Sequence, residues 1–208
     1  NGGNVTIQNM SFDGAVKYAI YAGSTSGGTV NISNCIFSNN GTGTAISGSA
    51  IFLNSDTLNI SDCTFSGNGH NSSSSTIYDN DLGVINLSGN IASNNNNGAF
   101  IEMNYGQLNL NNAILTGTGA GQEITSAWDV NMSGANSIAG MTLNLTTEGT
   151  YSTPLTLTFS NAATSLTLNS GADFIFTGVN VQSNGGQVIG NSANDTFPST
   201  TSPEMNIS

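Results

Sequence analysis

A four-residue unit alternating apolar and polar side chains recurs along this chain. It reads "VTIQ" from 5, "VNIS" from 30, "LNIS" from 58, "INLS" from 85, "LNLN" from 108, "VNMS" from 130, "LTLT" from 155, "VNVQ" from 179 and "MNIS" from 205. Successive starts differ by 25, 28, 27, 23, 22, 25, 24 and 26 residues. Alternation with a period of two marks a half-buried strand, and a spacing held this constant marks a stacked repeat. A single coil cannot bury its apolar face, so the units must cover one another. Weaker apolar stretches such as "GSAIFL" at 48–53, "STIYD" at 75–79 and "GAFIEM" at 98–103 give each repeat two or three short strands. The turns between them are rich in Gly, Asn and Ser, which tolerate positive φ or bond their own backbone. No segment shows a helical period.

The expected fold is all-β: a parallel β-helix of about eight coils of 22–28 residues, plus an extra strand. At about 4.8 Å per coil the rod is roughly 40 Å long. Residues 1–208 form one domain, with 196–208 as a connector and terminal strand. The first and third residues of each unit point inward, as in Val30 with Ile32, Leu58 with Ile60 and Leu108 with Leu110. The second residues form an outward polar face: Thr6, Asn31, Asn59, Asn86, Asn109, Asn131, Thr156, Asn180 and Asn206. Such a column is either an amide ladder bonding coil to coil or a flat neutral binding surface.

Two longer phrases, "VNISNCIFSNNG" at 30–41 and "LNISDCTFSGNG" at 58–69, add a second signal. Their "FSNN" and "FSGN" resemble the Phe-x-x-Asn motif of polymorphic outer-membrane-protein repeats, and "GSAIF" at 48–52 and "GAFI" at 98–101 resemble that family's Gly-Gly-Ala-Ile motif. The resemblance implies a right-handed β-helix of the autotransporter-passenger, adhesin type. Phe37 and Phe65 are expected to stack with Phe12 beneath them. Cys35 and Cys63 share a column with Met10 and Ala113. Stacked Cα atoms this close permit a disulfide, while a column of small apolar residues favours two buried thiols.

Charge excludes several functions. The chain has one basic residue, Lys17, one histidine, His70, and twelve acids, for a net charge of −11. Nucleic-acid binding needs cations to neutralise phosphates, and an anionic membrane surface needs the same. No apolar run approaches the ~18 residues that would span a bilayer. Uronate lyases need a basic group that this composition barely supplies. Acid–base hydrolysis would need two carboxylates on one cleft. Asp79 and Asp81 in "YDNDLG" are the best local pair, and alternation sets them on one side as candidate calcium ligands or as an ordinary solvated turn. No other cofactor is expected, and the chain reads as a non-enzyme. Trp128 and Tyr105 are candidate sugar platforms, and Trp128, in "ITSAWDV", reads as core first. Eleven Asn-x-Ser/Thr sequons, near what chance places in so polar a chain, make Asn40 and Asn71 the better glycan acceptors because both fall in turns.

The expected role is an extracellular or cell-surface structural or adhesive rod, with a glycan or host surface as a further partner. Open coils at both ends suggest either head-to-tail self-association, in which Met205, Asn206, Ile207 and Ser208 pair with Val5, Thr6, Ile7 and Gln8 of the next copy, or a chain that is a fragment of a longer rod. The alternative is a recognition module whose outward face binds ice or a polysaccharide.

Overall fold

The structure, a computed structural model, describes residues 3–23, 27–43, 47–119, 122–126, 129–146, 156–170, 172–177 and 179–190. It is a parallel β-solenoid, and every strand pairing in it is parallel. One sheet is built on a path of eight strands: Asn4–Gln8, Thr29–Ser33, Thr57–Ser66, Val84–Asn94, Gln107–Thr118, Asp129–Ser133, Thr156–Phe159 and Asn180–Gln182. The other stacks seven: Ile20–Ala22, Ile51–Leu53, Ser75–Asp79, Ala99–Met103, Glu123–Ser126, Thr142–Thr146 and Asp173–Thr177. Seven stacked strands are related by six full turns, so the described solenoid is shorter than the eight coils expected. The ninth unit, 205–208, lies outside the described residues, as does Trp128.

Each long strand bends after the fourth residue of its unit. The bend residues are Asn9, Asn34, Asp62, Gly89, Asn112 and Gly134, all with φ between 50° and 68°. The left-handed region favours Gly, Asn and Asp, which explains why Asp62 can stand where the preceding coil has Asn34. Each glycine in this series follows a side chain for a steric reason, since Gly89 lies over Asp62 and Gly134 over Asn112. The Asp62 carboxylate accepts the Asn90 N–H at 2.9 Å and lies so close over Gly89 that a Cβ there would sit 2.5 Å from its Oδ1.

Inside, the expected pairs are buried: Ile32, Leu58, Ile60, Ile85, Leu87, Leu108 and Leu110 are all at most 2% exposed. Phe12, Phe37 and Phe65 stack face to face at 4.9 Å with nearly parallel rings. The column ends because Ser93 stands opposite Phe65 in the next coil, and Phe100 tilts in at 5.3 Å to fill the space. Cys35 and Cys63 are free buried thiols, each donating to the carbonyl two residues earlier, at 3.2 and 3.1 Å. Burial pushes the Cys63 thiol up to about 11. Their column continues through Ile91, Leu115 and Ile138 rather than Ala113, because a one-residue register shift at the bend sets Ala113 opposite Gly89.

Removing one ring from the phenyl column leaves a cavity that rigid backbone on every side cannot close. Phe65→Ala should cost about 3–5 kcal/mol in urea unfolding, whereas Ile36→Ala, on the half-exposed outer surface, should cost less than about 1 kcal/mol.

Candidate functional site: two asparagine ladders and a neutral trough

The outward column is an amide ladder over five coils. Asn59 donates to Asn31, Asn86 to Asn59, Asn109 to Asn86 and Asn131 to Asn109, each Nδ2 to Oδ1, at 2.7, 2.6, 2.6 and 3.0 Å. At its base Asn31 Nδ2 reaches the Val5 carbonyl at 3.4 Å, which fixes the direction of the amides. Thr6 is in register with Asn31 but exposed, in the first coil.

Beyond Asn131 the column departs from expectation. Leu157, not Leu155, pairs with Val130, so Thr158 follows Asn131 and Gln182 follows Thr158. Thr156 and Asn180 pair with each other two residues earlier in the strand, outside the ladder column. The "LTLTF" stretch alternates so regularly that a shift of two preserves which residues face inward. Asn206 lies outside the described residues, with Met205, Ile207 and Ser208.

Beside this ladder runs a trough of about 640 Å³, flanked on one side by the Asn column and on the other by Ser33, Ser61, Ser88, Asn111 and Ser133, with the inward-facing Ile32, Ile60, Leu87, Leu110 and Met132 along its base. None of its lining residues is charged. The four serine hydroxyls make no hydrogen bond among the described residues, and Asn111 is exposed.

A second ladder, unforeseen from sequence, is wholly internal. Asn40 and Asn68 are fully buried and Asn96 nearly so. Asn68 Oδ1 accepts both the backbone N–H and the Nδ2 of Asn40, at 3.1 and 3.0 Å, and Asn96 Oδ1 takes the same two donors from Asn68 at 2.8 and 2.9 Å. Their Nδ2 groups also reach the carbonyls of Phe12, Phe37 and Phe65. Gln122 closes the top, its amide donating to the Asn96 carbonyl while its Oε1 accepts the Ser93 hydroxyl. The left-handed residues Asn39, Gly67 and Asn95 turn the chain just before each buried amide. The Phe-x-x-Asn motif thus places one ring and one amide inside the same corner. Asn40 is therefore not an accessible glycan acceptor, since its Nδ2 is buried and bonded. Asn71 is exposed in a turn in which its Oδ1 accepts the Ser73 N–H at 3.0 Å.

Asp79 and Asp81 do not share a side. The strand ends at Asp79, which stands in the inward column with Leu53 and Met103, and the turn that follows leaves Asp81 exposed. The buried Asp79 carboxylate accepts the N–H groups of Gly83 at 3.1 Å and Asp81 at 3.4 Å. Burial nevertheless pushes its pKa up from 3.8 to about 7. Among the described residues no three His, Cys, Asp or Glu side chains come together as metal ligands. His70 is exposed and donates from Nδ1 to the Thr42 carbonyl at 3.0 Å. Tyr105 is half-buried.

No family model matches this chain, and neither does any curated protein or solved structure. The likeness to outer-membrane-protein repeats rests on the short motifs alone.

Two outcomes follow from these environments. Asn68→Ala strands buried donors of Asn40 and should cost about 3 kcal/mol or more, while Asn86→Ala lets water replace the lost partner and should cost about 1 kcal/mol, both read from urea midpoints. For Asp79, the folded state holds its proton to higher pH than the unfolded chain. Its contribution to stability is full below about pH 4 and is lost by about pH 7, a fall on the order of 4 kcal/mol. Unfolding at pH 4.5 and 7.5 should show the drop, and Asp79→Asn should flatten it.

Proposed function

We propose that the chain is an extracellular structural or adhesive rod whose first described coil is covered by a further rung, supplied in the head-to-tail form by a second copy. The supporting observation is the condition of that coil. Val5 is 49% and Met10 51% exposed, whereas Val30 and Cys35, their counterparts one coil on, are buried. Val5, Ile7, Ile20, Ala22 and Val30 line a hollow of about 310 Å³ beneath it. The strand Asn4–Gln8 pairs on one side only among the described residues. A parallel strand carrying the same alternation would satisfy both its backbone and its apolar row.

The head-to-tail form of this reading assigns that strand to residues 205–208 of a second copy. Contacts between unlike surfaces propagate unless their rotation closes a ring. The same reading makes the chain a non-enzyme, with partners that are other rods or a host surface. Its nearly cation-free composition suits a surface that binds neither nucleic acid nor anionic lipid. Neither a metal nor a cofactor has a part in it.

Sedimentation velocity and negative-stain microscopy over a wide concentration range test the assembly. Intact protein should form end-to-end rods, and both Val5→Lys/Ile7→Lys and deletion of 205–208 should keep it monomeric. A chain that stays monomeric at every concentration ends the proposal. Rods formed equally well by the truncated chain would exclude the terminal strand as the partner.

A further inference from the structure

We propose that the trough binds a neutral, extended polysaccharide of the β-1,4-linked ribbon type, lying along the rod axis with about one sugar per rung. This goes beyond the assembly reading and does not depend on it, since one rod carries the whole trough.

The first argument is the supply of unused hydrogen-bonding capacity. An asparagine amide has two N–H donors and two acceptor lone pairs. Along the ladder each interior Asn spends one donor on the coil below and one lone pair on the coil above. At Asn59 and Asn86 the remaining donor and lone pair are left to the trough, while Asn109 Nδ2 also reaches Gln107 Oε1 at 3.5 Å and keeps only its lone pair. Beside them stand the hydroxyls of Ser33, Ser61, Ser88 and Ser133, each able to donate and accept, with no partner among the described residues. The result is a row of neutral donors and acceptors repeated at every rung, complementary to a polymer of hydroxyl groups.

Charge selects within that class. No cation lines the trough, and the chain carries a net charge of −11, so uronates, sulfated glycans and nucleic acids meet repulsion with nothing to offset it. A peptide strand is no better suited. It would need a free sheet edge for its backbone, whereas the trough presents a sheet face. A flat lattice such as ice fits poorly against a concave floor.

Spacing selects the linkage. Rungs repeat at about 4.8 Å, so the five-rung ladder extends roughly 19 Å in a straight line. That pitch is close to the rise of one pyranose in an extended β-1,4 chain, so sugars keep step with the rungs, alternate ones turned over and every second one meeting its side chain through the same edge. Coiled, α-linked polymers would leave the line after a few residues. Such ribbons are stiff before they bind, and the ladder already fixes the amides, so little freedom is lost on association.

Cellohexaose titrated into the protein, followed by calorimetry and by the side-chain amide resonances of the ladder, is the test. Saturable binding is expected, about tenfold or more tighter than for cellotriose because more rungs are engaged. Ser61→Glu/Ser88→Glu should weaken it at least about tenfold while Ile36→Glu, on another side of the rod, leaves it unchanged. Should the double variant fail to fold by circular dichroism, Asn111→Glu at an exposed wall position carries the same expectation. The proposal is overturned by the absence of binding at the solubility limit of cellohexaose. It is equally overturned if the trough variants bind as tightly as the parent, or if an oligogalacturonate of the same length binds as well.

Discussion

Everything in this rod depends on one constraint: a coil has no interior of its own. Its strands are only three to twelve residues long, and its apolar side chains become buried only when like residues stand above and below them. The contrast between coils one and two measures this. Val5 and Val30 occupy the same place in the same unit, yet one is half exposed and the other buried, because among the described residues only the second has a rung on both sides. Stability is therefore a sum of interfaces between neighbouring coils, and register is the quantity the sequence must specify.

Different parts of the coil hold register in different ways. Along the long strands, apolar alternation distinguishes inside from outside but does not distinguish a residue from the one two places away. The repeated unit therefore disclosed the solenoid, the inward pairs and the outward ladder as far as Asn131, and then misplaced Thr156 within a uniform Leu-Thr run and, with it, its register partner Asn180. At the corner, the phenyl stack and the buried amides admit only one alignment, since Asn68 must meet both donors of Asn40. This second device was less legible. Asparagine among glycines reads as a turn, and the buried role of Asn40 depends on the left-handed residue before it turning the chain inward.

Asp79 was hidden for a related reason. Alternation places Asp79 and Asp81 together only if the strand continues, but it ends at Asp79 and the chain folds over that carboxylate. Gly83 and Gly106 belong to the same arrangement, because a Cβ on either would meet Asp79 oxygens within 3 Å. A carboxyl in the inward column costs stability at neutral pH. Its two backbone bonds show what it holds in return, the turn that carries the chain into the next coil.

The two ladders run with opposite polarity. Outside, each amide donates toward the previous coil; inside, each donates toward the next. Backbone groups fix both directions, through the Val5 carbonyl outside and the N–H groups of Asn40 and Asn68 inside. The middle coils are tied on two sides by these bonds. Among the described residues the later coils have neither ladder and stack apolar side chains such as Leu157, Phe159, Leu166 and Phe174, with single amide bonds from Asn144 to Glu123 and from Asn184 to the Phe159 carbonyl. In a stack whose cohesion is local, the tied middle coils hold their shape best and the coils beyond them open first. The trough lies over those middle coils. The bonds that make the outer asparagines structural are also what hold their remaining valences in a fixed, evenly spaced row, so the ladder and the recognition surface are the same side chains seen from two directions.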